Sequence, residues 1–435
     1  MNVLLLGSGG REHAFAHFIA QSNQLDKLFI APGNAGTSKV GQNVSLNPLD
    51  FDAVWDFCIK NSIQLLVPGN EDPLVNGIVD FIQQKCEVSD YKISVAGPDK
   101  YASQLEGSKS FAKEFMMQNN VPTAAYKKFD SNNLSEIEAF LKTLSAPYVL
   151  KADGLAAGKG VIITEDFDEA LNTCKEMISN KTFGEASSTV VIEEFLKGIE
   201  ISVFVVSDGK DYHILGSAKD YKRILENDKG PNTGGMGSVS PVPFADEVFM
   251  NKVKSQIIEP SLKGLSAAGH PYKGFMFLGL MNDAGNPKVI EYNVRMGDPE
   301  TESIFPRLKT DMLALLDGVA NNRLSEIDFS LDERTAVCVF LVSEGYPGSV
   351  EKGIQMTIGL HTNNDDQFVF HAGTKELDER VVTNGGRVIA VTTLASNLEE
   401  ARENTYKAIE GIQFEGKNYR KDIGNDLIRY INNGN

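Results

Sequence analysis

The first hundred residues constrain the fold more than any other stretch, because strand-like and helix-like runs alternate through them. The strand-like runs are 3–6, 27–31, 64–67 and 92–96, and the helical stretches between them are 11–21, 51–61 and 73–84. Alternation of apolar strands with helices predicts a parallel sheet covered on both faces. Each strand is followed by a loop rich in Gly, Pro or Asn: Gly7-Ser8-Gly9-Gly10, Pro32-Gly33-Asn34, Pro68-Gly69-Asn70-Glu71-Asp72 and Gly97-Pro98-Asp99. In a parallel sheet these loops share the carboxyl edge, where ligands bind. The first loop is not a dinucleotide fingerprint. Its third small residue would fall at Glu12, and no acidic residue closes the second strand. Gly9, Gly10 and the helix starting near Arg11 still suit a phosphate or ribose at a helix N-terminus.

A second signal is the run Lys151-Ala152-Asp153-Gly154-Leu155-Ala156-Ala157-Gly158-Lys159-Gly160, with strand-like sequence on both sides. Such a hairpin can wrap backbone N–H groups around phosphates and add two cations. It is not a P-loop, which needs four residues between Gly and Gly-Lys, then Ser or Thr, then a helix. The alternative is a plain glycine turn. Around it, 125–129, 134–144, 168–179 and 189–194 read as strand, helix, helix and strand, with Ser135 and Glu138 spaced as a capping box. Further on, 106–118 and 249–268 read as helices, 200–206 as a strand and 216–241 as a polar loop. A unit starting near residue 328 carries strands over 336–342, 367–371 and 387–393 and a helix over 398–412.

The third signal is Val289-Ile290-Glu291-Tyr292-Asn293-Val294-Arg295. Strand alternation puts Glu291, Asn293 and Arg295 on one face and Ile290, Tyr292 and Val294 on the core face. A carboxylate and an amide oxygen two residues apart suit Mg2+, and the guanidinium suits a phosphate or carboxylate. The turn Met296-Gly297-Asp298-Pro299-Glu300 adds carboxylates beside them. The alternative is a solvated strand face.

Bulk properties narrow the classes. A net charge of −17 over 435 residues argues against a general nucleic-acid or anionic-membrane binder. Cys58, Cys86, Cys174 and Cys338 form no CxxC, so a reduced, cytoplasmic setting is expected. No apolar run approaches a membrane span, and no targeting segment is read at the N-terminus.

Together these residues resemble the phosphoribosylamine–glycine ligases (glycinamide ribonucleotide synthetases), ATP-grasp enzymes of purine biosynthesis. The resemblance runs over essentially the whole chain. Its pieces are Gly7 to His13, Ala31-Pro32-Gly33-Asn34-Ala35-Gly36-Thr37, Gln104 to Lys109, the 151–160 hairpin, Gly230 to Gly237, Glu291 to Glu300, His371-Ala372-Gly373-Thr374 and Thr383 to Val388. It implies an α/β and α+β multidomain protein. A Rossmann-like parallel-sheet domain would span 1–104. An ATP-grasp unit would span 105–327, with a mobile lid at about 122–193, and a small mixed α/β domain 328–435. The implied reaction joins glycine to 5-phosphoribosylamine with ATP, through a glycyl phosphate, and needs Mg2+ or Mn2+. A monomer is expected, with no nucleic acid or membrane as partner.

By matching position, the resemblance assigns Lys109, Lys151, Gly154, Gly158, Lys159 and Gly160 to the nucleotide phosphates. Glu193, Phe195 and Glu200 would hold adenine and ribose, and Glu291 and Asn293 the metal. Asp220, Lys222, Arg295 and Asp298 would serve glycine and the acyl phosphate. Gly10, Arg11, Glu12, Glu71 and Arg387 would face phosphoribosylamine. The chain departs from the family at Asn70 and Asp72, at Tyr221 (usually His) and at Met296 (usually Phe). Three rivals remain: another ATP-grasp carboxylate–amine ligase, a nicotinamide oxidoreductase and a non-catalytic nucleotide sensor. Glu12 speaks against the second, and the presence of Lys151 and Glu291 against the third.

Overall fold

The computed structural model describes residues 1–154, 160–180, 182, 184, 188–359 and 365–433. Its first sheet has five strands in the order Gln42–Asn43, Lys27–Pro32, Asn2–Gly7, Leu65–Pro68, Ser94–Val95, all paired in parallel. Val3, Leu4, Leu5 and Leu6 are successive and all fully buried, so both faces of the central strand are covered. The Gly-rich loops therefore gather at one edge, as the alternation predicts. Two expected helices are each broken in two. The stretch over 73–84 divides into Glu71–Val75 and Ile78–Glu87, because Gly77 takes φ +92°, which favours glycine. The stretch over 106–118 breaks at Ser108, an extended residue that ends Lys100–Gly107 and caps Lys109–Gln118 by accepting from Phe111 N.

A four-stranded antiparallel sheet follows, ordered Tyr126–Phe129, Val190–Glu194, Tyr148–Ala152, Val161–Thr164. The helices Ile137–Leu141 and Phe167–Asn180 pack on it, and Phe129, Leu141, Leu150, Cys174, Met177 and Ile192 form a core separate from that of the rest of the molecule. Ser135 and Glu138 make no capping box. Residues Leu134–Glu136 form a 3-10 turn, and the helix after it starts without a side-chain cap.

The third sheet has eight antiparallel strands. Their order is Asn286–Asn293, Lys273–Asp283, Ile199–Asp208, Tyr212–Asp220, Gly237–Ser240, Thr335–Val342, Arg387–Ala395, Gln367–His371. It runs without a break from the central segment into the C-terminal one through the pairing of Gly237–Ser240 with Thr335–Val342. The polar loop expected over 216–241 is replaced by strand Tyr212–Asp220, a small hairpin and strand Gly237–Ser240. These short strands lie between other strands, so burial comes from neighbours and not from an alternating pattern. The helix expected over 249–268 is interrupted by a π turn at Lys254–Ile258 before Pro260, whose missing N–H removes a helical bond.

One irregularity shapes the site. Gly279 pairs with Glu291 but Leu280 with Val289, so Ile290 is an extra residue, a β-bulge. The expected core face is corrected accordingly: Val289 and Tyr292 are buried, while Ile290 is partly exposed. The strand ends at Asn293, which leaves Arg295 in the following turn.

Candidate active site

The lid sheet, the helix Lys109–Gln118 and the bulged strand meet around a row of cations. Lys151 is buried in the strand Tyr148–Ala152, with Nζ 2.9 Å from Glu193 Oε1 and 3.3 Å from the Ile290 carbonyl freed by the bulge. Lys113 Nζ holds the other oxygen, Glu193 Oε2, at 3.0 Å and donates to Thr123 Oγ1 at 2.8 Å. Glu193 thus spends its side chain on two buried lysines, and its strand pairs on both sides. Burial pushes the Lys113 ammonium down to about 8, against the pull of Glu193. Lys109 Nζ donates to the Gly154 carbonyl at 2.9 Å, and Asp153 accepts from Ser110 N at 3.1 Å and Ser110 Oγ at 2.6 Å. The root of the hairpin is thereby tied to the helix start. Gly154 takes φ +113° there, and Gly160 is buried. Gly158 and Lys159 lie outside the described residues. Burial also lowers the Lys109 ammonium; Glu291 opposes that shift and Lys151 adds to it.

Glu200, Ser202, Asp220, Lys222, Ile290 and Glu291 line a small open cleft on the eight-stranded sheet. Lys222 Nζ lies 2.8 Å from Glu200 Oε2 and 3.8 Å from Asp220 Oδ2. Burial works against the Lys222 charge, but Asp220, Glu200 and Glu291 outweigh it and raise its pKa. The Asp220 carboxyl is raised by burial, with Lys222 opposing. Phe195 is 38% exposed at the end of the lid strand, an open aromatic face for a base.

Arginines dominate the far side. Arg295 bonds Glu71 Oε2 through Nε at 3.1 Å and Glu106 Oε1 through Nη2 at 2.8 Å. Glu106 also accepts from Val294 N at 2.7 Å, and burial pushes its carboxyl up to about 7 despite Arg295. Glu71 moves the other way: burial resists, but Arg295 and Arg11 together hold it below its usual range. Arg11 is buried against Glu12 Oε1 at 2.6 Å and donates to the Met296 carbonyl at 3.0 Å. Glu12 turns inward, accepting from Gly9 N at 2.6 Å, so it shapes the first loop. Arg387 Nη1 reaches Gly234 O at 2.7 Å, Asp298 O at 3.0 Å and Asp298 Oδ1 at 3.0 Å, over the ring of Phe340. It pins the loop before Gly237–Ser240 against the Asp298 turn, helped by Gly234 N donating to Tyr346 Oη at 2.8 Å. Tyr221 is buried, its hydroxyl donating to Asp426 Oδ1 at 2.6 Å, and Met296 is buried as well.

The pair expected to hold a metal has the freedom that role needs. Glu291 is exposed, and its carboxylate makes no hydrogen bond or ion pair among the described residues. Asn293 Oδ1 accepts one bond, from Arg295 Nη2 at 3.2 Å, keeping a second lone pair. No cluster of three acidic, His or Cys side chains suited to a metal occurs among the described residues. That is compatible with Mg2+, which takes one or two protein oxygens and completes its octahedron with phosphate and water.

The residues singled out from sequence thus fall in two groups, the lysines with Glu193, Glu200, Glu291 and Asn293, and the arginines with Glu71 and Asp298. Sequence reasoning passed over Lys113, Glu106 as a partner of Arg295, and the Ile290 carbonyl. Lys113 carried a signal, since it lies one helical turn after Lys109. The other two depended on contacts far apart in the chain.

A separately cored sheet beside an antiparallel sheet, with Lys151 buried between them and an unpaired Glu291 carboxylate near Lys109 and Lys222, is the arrangement of an ATP-grasp enzyme. Three family models match in order: the phosphoribosylglycinamide synthetase N domain over 1–106, its ATP-grasp (A) domain over 107–301 and its C domain over 336–426. A phosphoribosylamine–glycine ligase of Chlorobaculum tepidum is 44% identical over 429 residues, covering 98% of this chain and 99% of that one. The chain belongs to the phosphoribosylamine–glycine ligase family. The solved phosphoribosylamine–glycine ligase of Thermotoga maritima superposes with TM-score 0.81 at 35% identity, over 97% of this chain and 100% of the other. The biotin carboxylase domain of the Hydrogenobacter thermophilus 2-oxoglutarate carboxylase shares the fold at TM-score 0.71 and 18% identity, over 96% and 91%.

Proposed function

We propose that this chain joins glycine to 5-phosphoribosylamine, converting ATP to ADP and phosphate and forming glycinamide ribonucleotide in purine biosynthesis. The observation that carries the reading is the unpaired Glu291 facing Lys109 and Lys222 in one cleft, in a chain of this family. ATP lies between lid and body, its phosphates toward Lys109, Lys151 and the Gly154–Gly160 hairpin. Its base lies beside Phe195 and the Glu193 backbone, and its ribose near Glu200. A divalent cation, Mg2+ or Mn2+, held by Glu291 and Asn293, would neutralise phosphate charge as the γ-phosphoryl group transfers. Arg295, with Asp220 and Lys222, holds glycine so that its carboxylate oxygen attacks the γ-phosphorus. The bond to the β-phosphate oxygen breaks and ADP leaves.

The ribosylamine nitrogen then attacks the glycyl carbonyl. A C–N bond forms, the C–O bond to phosphate breaks and the nitrogen loses a proton. Gly10, Arg11, Glu71 and Arg387 orient the amine substrate, with Asp298 beside the acyl phosphate holding Arg387 in place and Glu12 acting through Gly9 and Arg11. No protein nucleophile is needed, because positioning and charge neutralisation supply the rate. We assign phosphoribosylamine binding mainly to 1–104, nucleotide and glycine to 105–327, and the closing arginine to 328–435. No helix among the described residues is long and apolar enough to cross a membrane. A cytoplasmic monomer is the proposed setting, and sedimentation would check it. The deciding experiment measures ADP release with ATP and Mg2+ while glycine and freshly generated phosphoribosylamine are added separately and together. Release that requires both supports the ligase; release requiring a different acid or amine points to another ATP-grasp ligase.

A further inference from the structure

Glu302 is fully buried in the short helix Thr301–Ile304, and none of the roles above uses it. Its carbonyl accepts from Thr392 Oγ1 at 2.8 Å, anchoring it to the C-terminal part of the body sheet. Its carboxyl packs against the first loop so closely that a Cβ at Gly10 would collide with Oε1. Neither carboxyl oxygen has a well-aligned donor among the described residues; only Glu302's own N–H comes near. Asp298, within hydrogen-bonding range of it, has the same problem at Oδ1. Arg387 Nη1 lies at ion-pair distance from that oxygen but without the alignment of a hydrogen bond, and it points its N–H groups at Gly234 O and Asp298 O. Two ionised carboxylates offer each other only acceptors, and Glu302 and the Asp298 Oδ1 atom are buried away from water. One shared proton removes the conflict.

We propose that Glu302 is a neutral acid that donates its proton to Asp298, and that it is a positioning residue for the phosphoribosylamine side of the site. The donated bond fixes the Asp298 carboxylate, which in turn holds Arg387 and faces the Gly9–Gly10 backbone. The larger influences around it favour this state, and Arg387 and the Glu302 N–H oppose it. Burial raises the carboxyl well above its usual range, Asp298 raises it further and Arg387 opposes. Cys338, on the neighbouring strand, is pushed up by burial and by Glu302 itself, and remains a thiol. Arg11 adds positive charge near Asp298 from the first helix, and Glu12 lies across Gly9 from it.

The assignment of a substrate side rests on the ligase reading; the protonation does not. The test uses the full chain with Glu302→Gln, which keeps shape and a donor, and Glu302→Leu, which keeps bulk alone. An infrared difference spectrum, wild type minus Glu302→Gln at neutral pH, is expected to show a carboxylic-acid C=O band that shifts in D2O. Its absence overturns the inference whatever the enzyme's substrate. Calorimetry with the stable product, glycinamide ribonucleotide, is expected to give Glu302→Gln nearly wild-type affinity and Glu302→Leu a loss of roughly tenfold. ATP affinity should be unchanged in both. Product affinity of the wild type should fall at alkaline pH, and that of Glu302→Gln should not. Equal product binding by all three proteins, or a parallel loss of ATP and product binding, overturns the positioning role. If Glu302→Leu does not fold, the band and the Glu302→Gln pH profile decide. Wild-type protein that shows the band but ignores the product would sink the ligase reading and the positioning role and leave the protonation standing.

Discussion

The lid sheet and the body sheet differ in what holds them. The lid buries Phe129, Leu150, Met177 and Ile192 among themselves, whereas the body core runs through the N-terminal, central and C-terminal segments together. The ties between lid and body are mostly polar: Lys113 on Glu193, Lys151 on the Ile290 carbonyl, Asp153 on Ser108 and Ser110, and Thr123 Oγ1 on Val289 O at 2.7 Å. Polar ties break and reform at smaller cost than an apolar core, which suits the lid that the resemblance implies. The arginines of the substrate side sit on elements cored into the body. The contrast separates Lys151, carried by a sheet with its own core, from Arg11, Arg295 and Arg387, carried by elements that share the common core.

The largest effect that sharpens this contrast is expected from Glu291→Ala. It should fold normally and lower Mg2+-dependent turnover on the order of 10³-fold, about 4 kcal/mol in the barrier. A rate within a few fold of wild type would remove the metal from this strand. Next, Leu150→Ala should cost the lid about 3 kcal/mol. Hydrogen exchange should then show lost protection in Tyr148–Ala152 and Val190–Glu194, with Thr335–Val342 unchanged. Joint loss in all three strands would break the idea of separate cores.

The pH dependence of stability separates the regions further. Glu302 has a raised carboxyl in the folded body, so the native state keeps a proton that the unfolded chain has released above its ordinary pKa. Its contribution is full below that pKa and is lost as pH rises toward the folded value, by at most about 1.4 kcal/mol per pH unit. Denaturation should therefore find Glu302→Gln gaining on wild type as pH rises from about 5 to 8. A constant difference would mean that Glu302 is ionised throughout. The smallest effect is expected from Ser108→Ala, which removes the cap on Lys109–Gln118 and one bond to Asp153, costing about 1 kcal/mol. The Michaelis constant for ATP should rise a few fold while that for glycine stays put; a change confined to glycine would place this helix on the wrong side of the comparison.

Local sequence determined a good deal of this protein. Alternating apolar runs and loop glycines specified the N-terminal parallel sheet and its ligand edge, because strand and helix periods are written in neighbouring residues. The lysine hairpin, the Glu291–Asn293 pair and the Gly-Gly-Arg-Glu-His loop pointed to the family, because residue types at short spacing are legible in the chain itself. Other features were decided only by the tertiary structure. The eight-stranded sheet depends on Gly237–Ser240 finding Thr335–Val342, and strand 212–220 gains its burial from neighbours and shows little pattern of its own. The bulge at Ile290 reversed one residue's face, which no alternating pattern could announce. Glu106 reaches Val294 across 188 residues, Arg11 reaches Met296 across 285, and Glu302 meets Asp298, Gly10 and Thr392 in one buried place. Whether a buried carboxyl carries its proton depends on which donors and charges surround it, and those neighbours are brought together only by folding.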